Sequence, residues 1–137
     1  MKYSSENHNW DLTIMASSRL MTIGKSIKEQ PDFSYSCFTG AMLLAVAGLE
    51  SFLNSMAFFV TEEDFCYNQF EENSIENKLD FFLAKYDVKL NKGSRPYQTI
   101  KEAVIWRNSV SHSKPMFVEE VEINETSEVR KIPHKHL

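Results

Sequence analysis

Residues 37–60 read CFTGAMLLAVAGLESFLNSMAFFV, and their reading decides the fold class. One formal charge, Glu50, interrupts an apolar run long enough to span a bilayer. A carboxylate at mid-span costs about 2.5–3.5 kcal/mol even on a lenient insertion scale. Ser51, Asn54 and Ser55 follow it, and no cluster of Lys or Arg flanks either end. The stretch is therefore expected to be the central helix of a water-soluble helical domain, running from about Ser34 to Val60 and buried on most sides. Ala41, Ala45 and Gly48 form a stripe of small residues along it, which lets another helix approach closely.

Working outward, Asp11 can cap a first helix with Leu12, Met15, Leu20, Ile23 and Ile27 as its apolar stripe. That helix stops before Pro31, because the residue ahead of a proline is pushed out of the α region. On the other side, residues 61–73 are polar but carry Phe65, Tyr67 and Phe70, as a short helix or ordered loop would. Ser74 then caps a helix with Ile75, Leu79, Phe82, Leu83 and Tyr86 at helical spacing. Residues 91–94 are a loop by composition, and Pro96 suits the first turn of a last long helix. Tyr97, Ile100, Val104 and Ser111 fall on one line of that helix, and Ala103, Trp106 and Val110 on its neighbour; Lys114 and Pro115 end it. Four antiparallel helices with short connections predict an all-α, up-and-down four-helix bundle over residues 1–116. Residues 117–137 hold two β-prone runs, 117–123 and 129–132, and read either as a small C-terminal hairpin or as an acidic tail.

Composition sets the bounds. A chain of 137 residues fits one ordinary domain. A hydrophobic fraction of 42% with 25% charged residues excludes wholesale disorder. The net charge of −4 argues against a broad nucleic-acid-coating surface while leaving room for a local basic cleft. Cys37 and Cys66 match no metal or redox spacing, so they are expected as packing residues in a reducing cytoplasm. The polar opening, residues 1–10, is unlike a secretory leader. His134 and His136 are assigned no function, and no metal or cofactor is called for.

The chemically pointed run is Arg107-Asn108-Ser109-Val110-Ser111-His112, at the end of the last helix. Cleavage of RNA without a metal needs a group that exchanges a proton near neutral pH, and histidine does this best. It also needs charge-matched donors for the phosphorane-like transition state, and arginine offers a planar fork of them. His112 at a helix C-terminus faces the negative end of the dipole, which suits a proton donor. Asn108 can orient a phosphate or the imidazole; it lies on the Tyr97–Val104 line, so a structural hydrogen bond is an equal reading. Read singly, Arg107 is also an ordinary ion-paired arginine and His112 a C-terminal cap. Five helical steps turn the chain by about 500°, which sets Arg107 and His112 about 140° apart on a straight helix. They converge only if the last turn loosens or if two copies of the helix meet across a symmetric dimer. Ser109 and Ser111 have no base–acid arrangement around them and are not read as nucleophiles.

Glu50 is a lone carboxylate in an apolar helix and must be paired, protonated or at an edge. It is expected to meet Arg107 and hold the guanidinium toward the cleft; the alternative is a surface glutamate on a polar stripe with Asn54. Lys92, Arg95 and Lys101 can extend a positive rim that steers RNA phosphates, or be plain solvated charges.

Arg107-Asn108 followed by His112, behind a helix carrying Ala47-Gly48-Leu49-Glu50-Ser51-Phe52-Leu53-Asn54, resembles the HEPN superfamily. Its signature is an arginine, four to six residues and a histidine, commonly with a polar residue after the arginine; the resemblance covers roughly residues 33–115. It implies a helical bundle acting as a homodimer, with Arg107, Asn108 and His112 as catalytic residues of a metal-independent endoribonuclease. The implied reaction is 2′-hydroxyl attack on RNA, leaving a 2′,3′-cyclic phosphate. The implied setting is a toxin–antitoxin or antiphage system, with an antitoxin or other protein as regulator. A non-catalytic dimerisation or nucleotide/RNA-binding module is the alternative.

Overall fold

Proline at a first helical position lacks an N–H that would be orphaned anyway, and Pro31 opens the longest helix in that position. The computed structural model describes residues 9–112, which form α1 (Trp10–Ser26), α2 (Pro31–Ala57), α3 (Tyr67–Glu71), α4 (Ile75–Lys85) and α5 (Tyr97–Ser111). Strands are absent among the described residues, and the all-α class holds there. The hairpin or tail expected at 117–137, and the boundary near residue 116, lie outside them.

Helices α1 and α2 form an antiparallel hairpin. Ser17 Oγ donates to Ala41 O at 2.6 Å, Ser34 Oγ donates to Gly24 O at 2.9 Å, and Gly48 lies against Ile14 and Trp10. The small-residue stripe is in use, since a Cβ on Gly48 would stand 2.7 Å from Ile14 Cγ1. Ala45, by contrast, is exposed.

Two expectations for α1 are corrected by this packing. Asp11 lies inside the first turn, and Asn9 stands at the N-cap without a side-chain cap bond. The apolar stripe is also largely misplaced: Leu12 is 59% exposed, Ile23 48% and Met15 42%. Of the stripe, Leu20 does turn toward α2, beside Ser17 and Gly24 and with Ile14 against Gly48. Close backbone approach through small side chains decides which face of α1 turns inward, and Leu12, Met15 and Ile23 are left largely outside.

Farther along α2, Val46, Leu53 and Ala57 join Phe70 of α3, Ile75 and Phe82 of α4, and Val104 of α5 in the core. Phe70 sits edge-on to Phe81 and Phe82, with ring centroids 5.3 and 5.6 Å away. Burying one such side chain contributes about 1.5–3 kcal/mol. The enclosure expected for α2 is nevertheless partial. By length and composition it could cross a bilayer (mean hydropathy 1.6), and 22% of that window is buried in the single chain. Phe33, Tyr35 and Met42 are exposed on it.

The ends of α4 follow from local chemistry. Ser74 Oγ accepts the Asn77 N–H at 3.2 Å, an N-terminal cap. Past the other end, Asp87 takes φ 51°, with Val88 N–H donating to Leu83 O at 2.8 Å and Asp87 N–H to Ala84 O at 3.2 Å. Those two bonds satisfy carbonyls that the helix leaves open.

Candidate functional site

The seam between α2, α4 and α5 brings three ionised side chains together. Glu50 of α2 receives Arg107 of α5, with Nη1 3.6 Å from Oε2, and Lys78 of α4, with Nζ 3.3 Å from Oε1. The side chains are 32% exposed for Glu50, 28% for Arg107 and 0% for Lys78. Glu50 thus faces Arg107 across the α2–α5 contact, at a separation longer than the 2.7–2.9 Å typical of a charge-assisted hydrogen bond. Arg107 Nε is buried without a hydrogen-bond partner, so the guanidinium is held along one edge. One turn along α2, Asn54 Oδ1 is likewise buried and unpartnered.

Lys78 escaped the sequence reading. It lies on the Ile75–Phe82 line of α4, between two core residues, with Nζ 6.0 Å from the centroid of Phe70. The signal was there: a lysine on the apolar face of one helix and a lone carboxylate on the apolar helix beside it can both be buried only as partners.

Asn108 and His112 stand elsewhere on α5. Both are exposed, which corrects the placement of Asn108 on a buried line. The last turns of α5 are less enclosed than its middle, so a residue in line with Val104 reaches solvent. The chain leaves helical geometry only at His112 (φ −126°, ψ 34°), whose N–H still donates to Asn108 O at 2.9 Å. The last turn has therefore not loosened enough to swing His112 toward Arg107. No hydrogen bond or ion pair joins the side chains of Arg107, Asn108 and His112 among the described residues. Instead Lys101, Ile105, Asn108 and His112 follow one another at helical spacing, all exposed, as an outer line of α5. Ser109 Oγ donates to Trp106 O at 2.7 Å, which engages it with the backbone.

The basic rim is largely neutralised. Lys92 Nζ donates to Asp80 Oδ2 at 2.7 Å, and that carboxylate holds Lys92 above the usual lysine range. Arg95 pairs with Glu102 at 2.9 Å, leaving Lys101 as the exposed member of the expected trio without such a partner among the described residues. Across the molecule, the hydrogen bond from Lys85 holds Glu62 below the usual carboxylate range. Those two residues flank an open, mainly apolar groove with Val60, Phe65 and Phe81, and none of Glu50, Arg107, Asn108 or His112 lines it.

Cys66 is exposed at the N-cap of α3, which corrects its expected packing role, whereas Cys37 is half-buried; both thiols are free. A cluster of three or more His, Cys, Asp or Glu able to hold a metal ion is absent among the described residues. No protein-family model, curated protein or solved structure matches the chain, so its own residues carry the functional reading.

Proposed function

We propose that this chain is a HEPN-like, metal-independent endoribonuclease, an up-and-down helical bundle that works as a homodimer on cytoplasmic RNA. One observation carries the reading: Arg107 is held at the edge of the α2 seam by Glu50 while still partly open, and an exposed His112 closes the same helix. In the proposed reaction the ribose 2′-oxygen attacks the adjacent phosphorus and the bond to the 5′-oxygen breaks. The 2′-hydroxyl proton passes to one imidazole of the dimer, and the leaving 5′-oxygen takes a proton from the other. Products are a 2′,3′-cyclic phosphate and a free 5′-hydroxyl. Arg107 donates to the phosphate oxygens as charge accumulates there, and Asn108 orients the phosphate.

The reading requires two copies. Within one protomer Arg107 faces Glu50 and His112 faces solvent, so a cleft containing both groups has to be composite. The exposed line Lys101, Ile105, Asn108 and His112 on α5 offers a second copy an apolar contact beside polar groups. A toxin or antiphage factor restrained by an antitoxin or another protein is the setting that fits such an activity.

The test is direct. Purified protein in EDTA is expected to sediment as a dimer and to cut single-stranded RNA to cyclic-phosphate ends. His112→Ala is expected to keep its helical signal and lose at least about a hundredfold in rate. Unchanged cutting by that variant, or activity from a strict monomer, would remove the assignment. The lack of any Arg107–His112 contact within the protomer supports a second reading, a non-catalytic dimerisation or RNA-binding module. RNA bound without cleavage by an intact dimer would select it.

A further inference from the structure

Two cations share one carboxylate at the α2–α4–α5 seam. Lys78 and Arg107 each meet Glu50, and no second acid meets either of them among the described residues. The cluster therefore carries a net charge of +1. Its buried member is hard to explain as a stability device. Taking a lysine wholly out of water costs several kcal/mol before its partner repays any of it, and an apolar residue of similar size often does as well or better. Lys78 is 0% exposed, so no ligand touches it.

We propose that Lys78 is a positioning residue for Arg107: by neutralising Glu50 from the buried side, it leaves the guanidinium with an uncompensated charge for a phosphate group. This deepens the reading above and rests on Arg107 as the phosphate donor. Geometry supplies the reason. A carboxylate free to serve arginine alone makes a bidentate fork, two short parallel bonds that largely cancel the charge. Here one oxygen of Glu50 is taken by Lys78 at 3.3 Å, and the other reaches Arg107 only at 3.6 Å. The fork is blocked, and Arg107 is aimed without being neutralised; its Nε is buried, so it is the outer edge of the guanidinium that a phosphate can meet.

Charge arithmetic makes the inference testable, because a merely structural ion pair predicts the opposite sign. Glu50→Gln raises the cluster to +2, Lys78→Met lowers it to zero, and the double variant returns it to +1. The probe is a single-stranded 2′-O-methyl oligonucleotide, which cannot be cleaved, read by fluorescence anisotropy with thermal melting recorded on each variant. One unit charge about 6 Å from a phosphate changes affinity about threefold even with the full screening of bulk water, and more near a protein surface. Glu50→Gln is expected to bind tighter by that factor despite melting earlier, Lys78→Met to bind weaker by it, and Lys78→Met/Glu50→Gln to return to within about twofold of wild type. Arg107→Ala is expected to lose binding. Glu50→Gln binding no tighter than wild type, while Arg107→Ala is impaired, overturns the role of Lys78 and leaves Arg107 as the phosphate donor. Arg107→Ala binding like wild type overturns both. If a single variant does not fold, the double variant decides: wild-type-like affinity supports the proposal and its loss overturns it.

Discussion

Two glycines on the same helix should respond to alanine with opposite signs. Gly40 and Gly48 both lie inside α2, so Gly→Ala brings each the same gain of about 0.8–1 kcal/mol in helix propensity. Both also lose the same freedom in the unfolded chain, and that contribution cancels between them. What differs is the space. At Gly48 the new Cβ would stand 2.7 Å from Ile14 Cγ1 and 3.4 Å from the Ile14 backbone nitrogen. Carbon atoms in contact prefer about 3.5–4.0 Å, so α1 must retreat by most of an ångström. Overpacking of that kind costs about 1–3 kcal/mol, which exceeds the propensity gain. At Gly40 the nearest atom is the terminal methyl Leu20 Cδ1 at 3.1 Å, which a small rotation relieves. Gly40→Ala is expected to stabilise by about 0.5 kcal/mol and Gly48→Ala to destabilise by about 1 kcal/mol. In thermal unfolding followed by far-UV circular dichroism the two melting points should lie about 3–10 °C apart. A Gly48→Ala protein as stable as Gly40→Ala would refute the close approach of α1 to α2.

Other outcomes follow from the helix ends and the surface pairs. Ser74→Ala removes the cap on α4 and should cost about 1 kcal/mol by urea titration, whereas Asp87→Gly relieves the positive φ and should raise stability by up to about 1 kcal/mol. The carboxyl of Glu62 is held below its ordinary value of 4.5, so its contribution is present above that value and disappears as pH falls through the lower folded one. Lys92 is held above 10.5, so its contribution is full below that value and is lost as pH rises through the higher folded one. Both groups are solvent-exposed, and both effects should shrink in melts repeated at high salt.

The fold class was legible because α2 and α4 announce themselves: an apolar run with one charge, and a serine cap ahead of residues at helical spacing. The Glu50–Arg107 proximity was legible too, since a lone carboxylate in an apolar helix demands a partner. The orientation of α1 was not. Its pattern of Leu12, Met15 and Ile23 marks an apolar face, but the neighbour chose the face of Ser17 and Gly24, where backbones come closest. Hydrophobic pattern ranks faces by transfer energy and is blind to shape. Asn108 fails for a related reason, because a line of residues says nothing of where the neighbouring helix ends. Lys78 drew no reading from the sequence, although the lone Glu50 on a neighbouring helix was the reason to look for a buried cation.

The hairpin of α1 and α2 and the ion cluster differ in how much chain each must gather. The hairpin closes over the few residues between Ser26 and Pro31, whereas Lys78 meets Glu50 from 28 positions away and Arg107 from farther still. Closure entropy grows with the logarithm of loop length, and contacts between distant segments form late. The first two helices can therefore assemble while α4 and α5 are still unattached. Glu50 gains its two cationic neighbours only after α2, α4 and α5 have come together, so the ion cluster is among the last parts of the described fold to form.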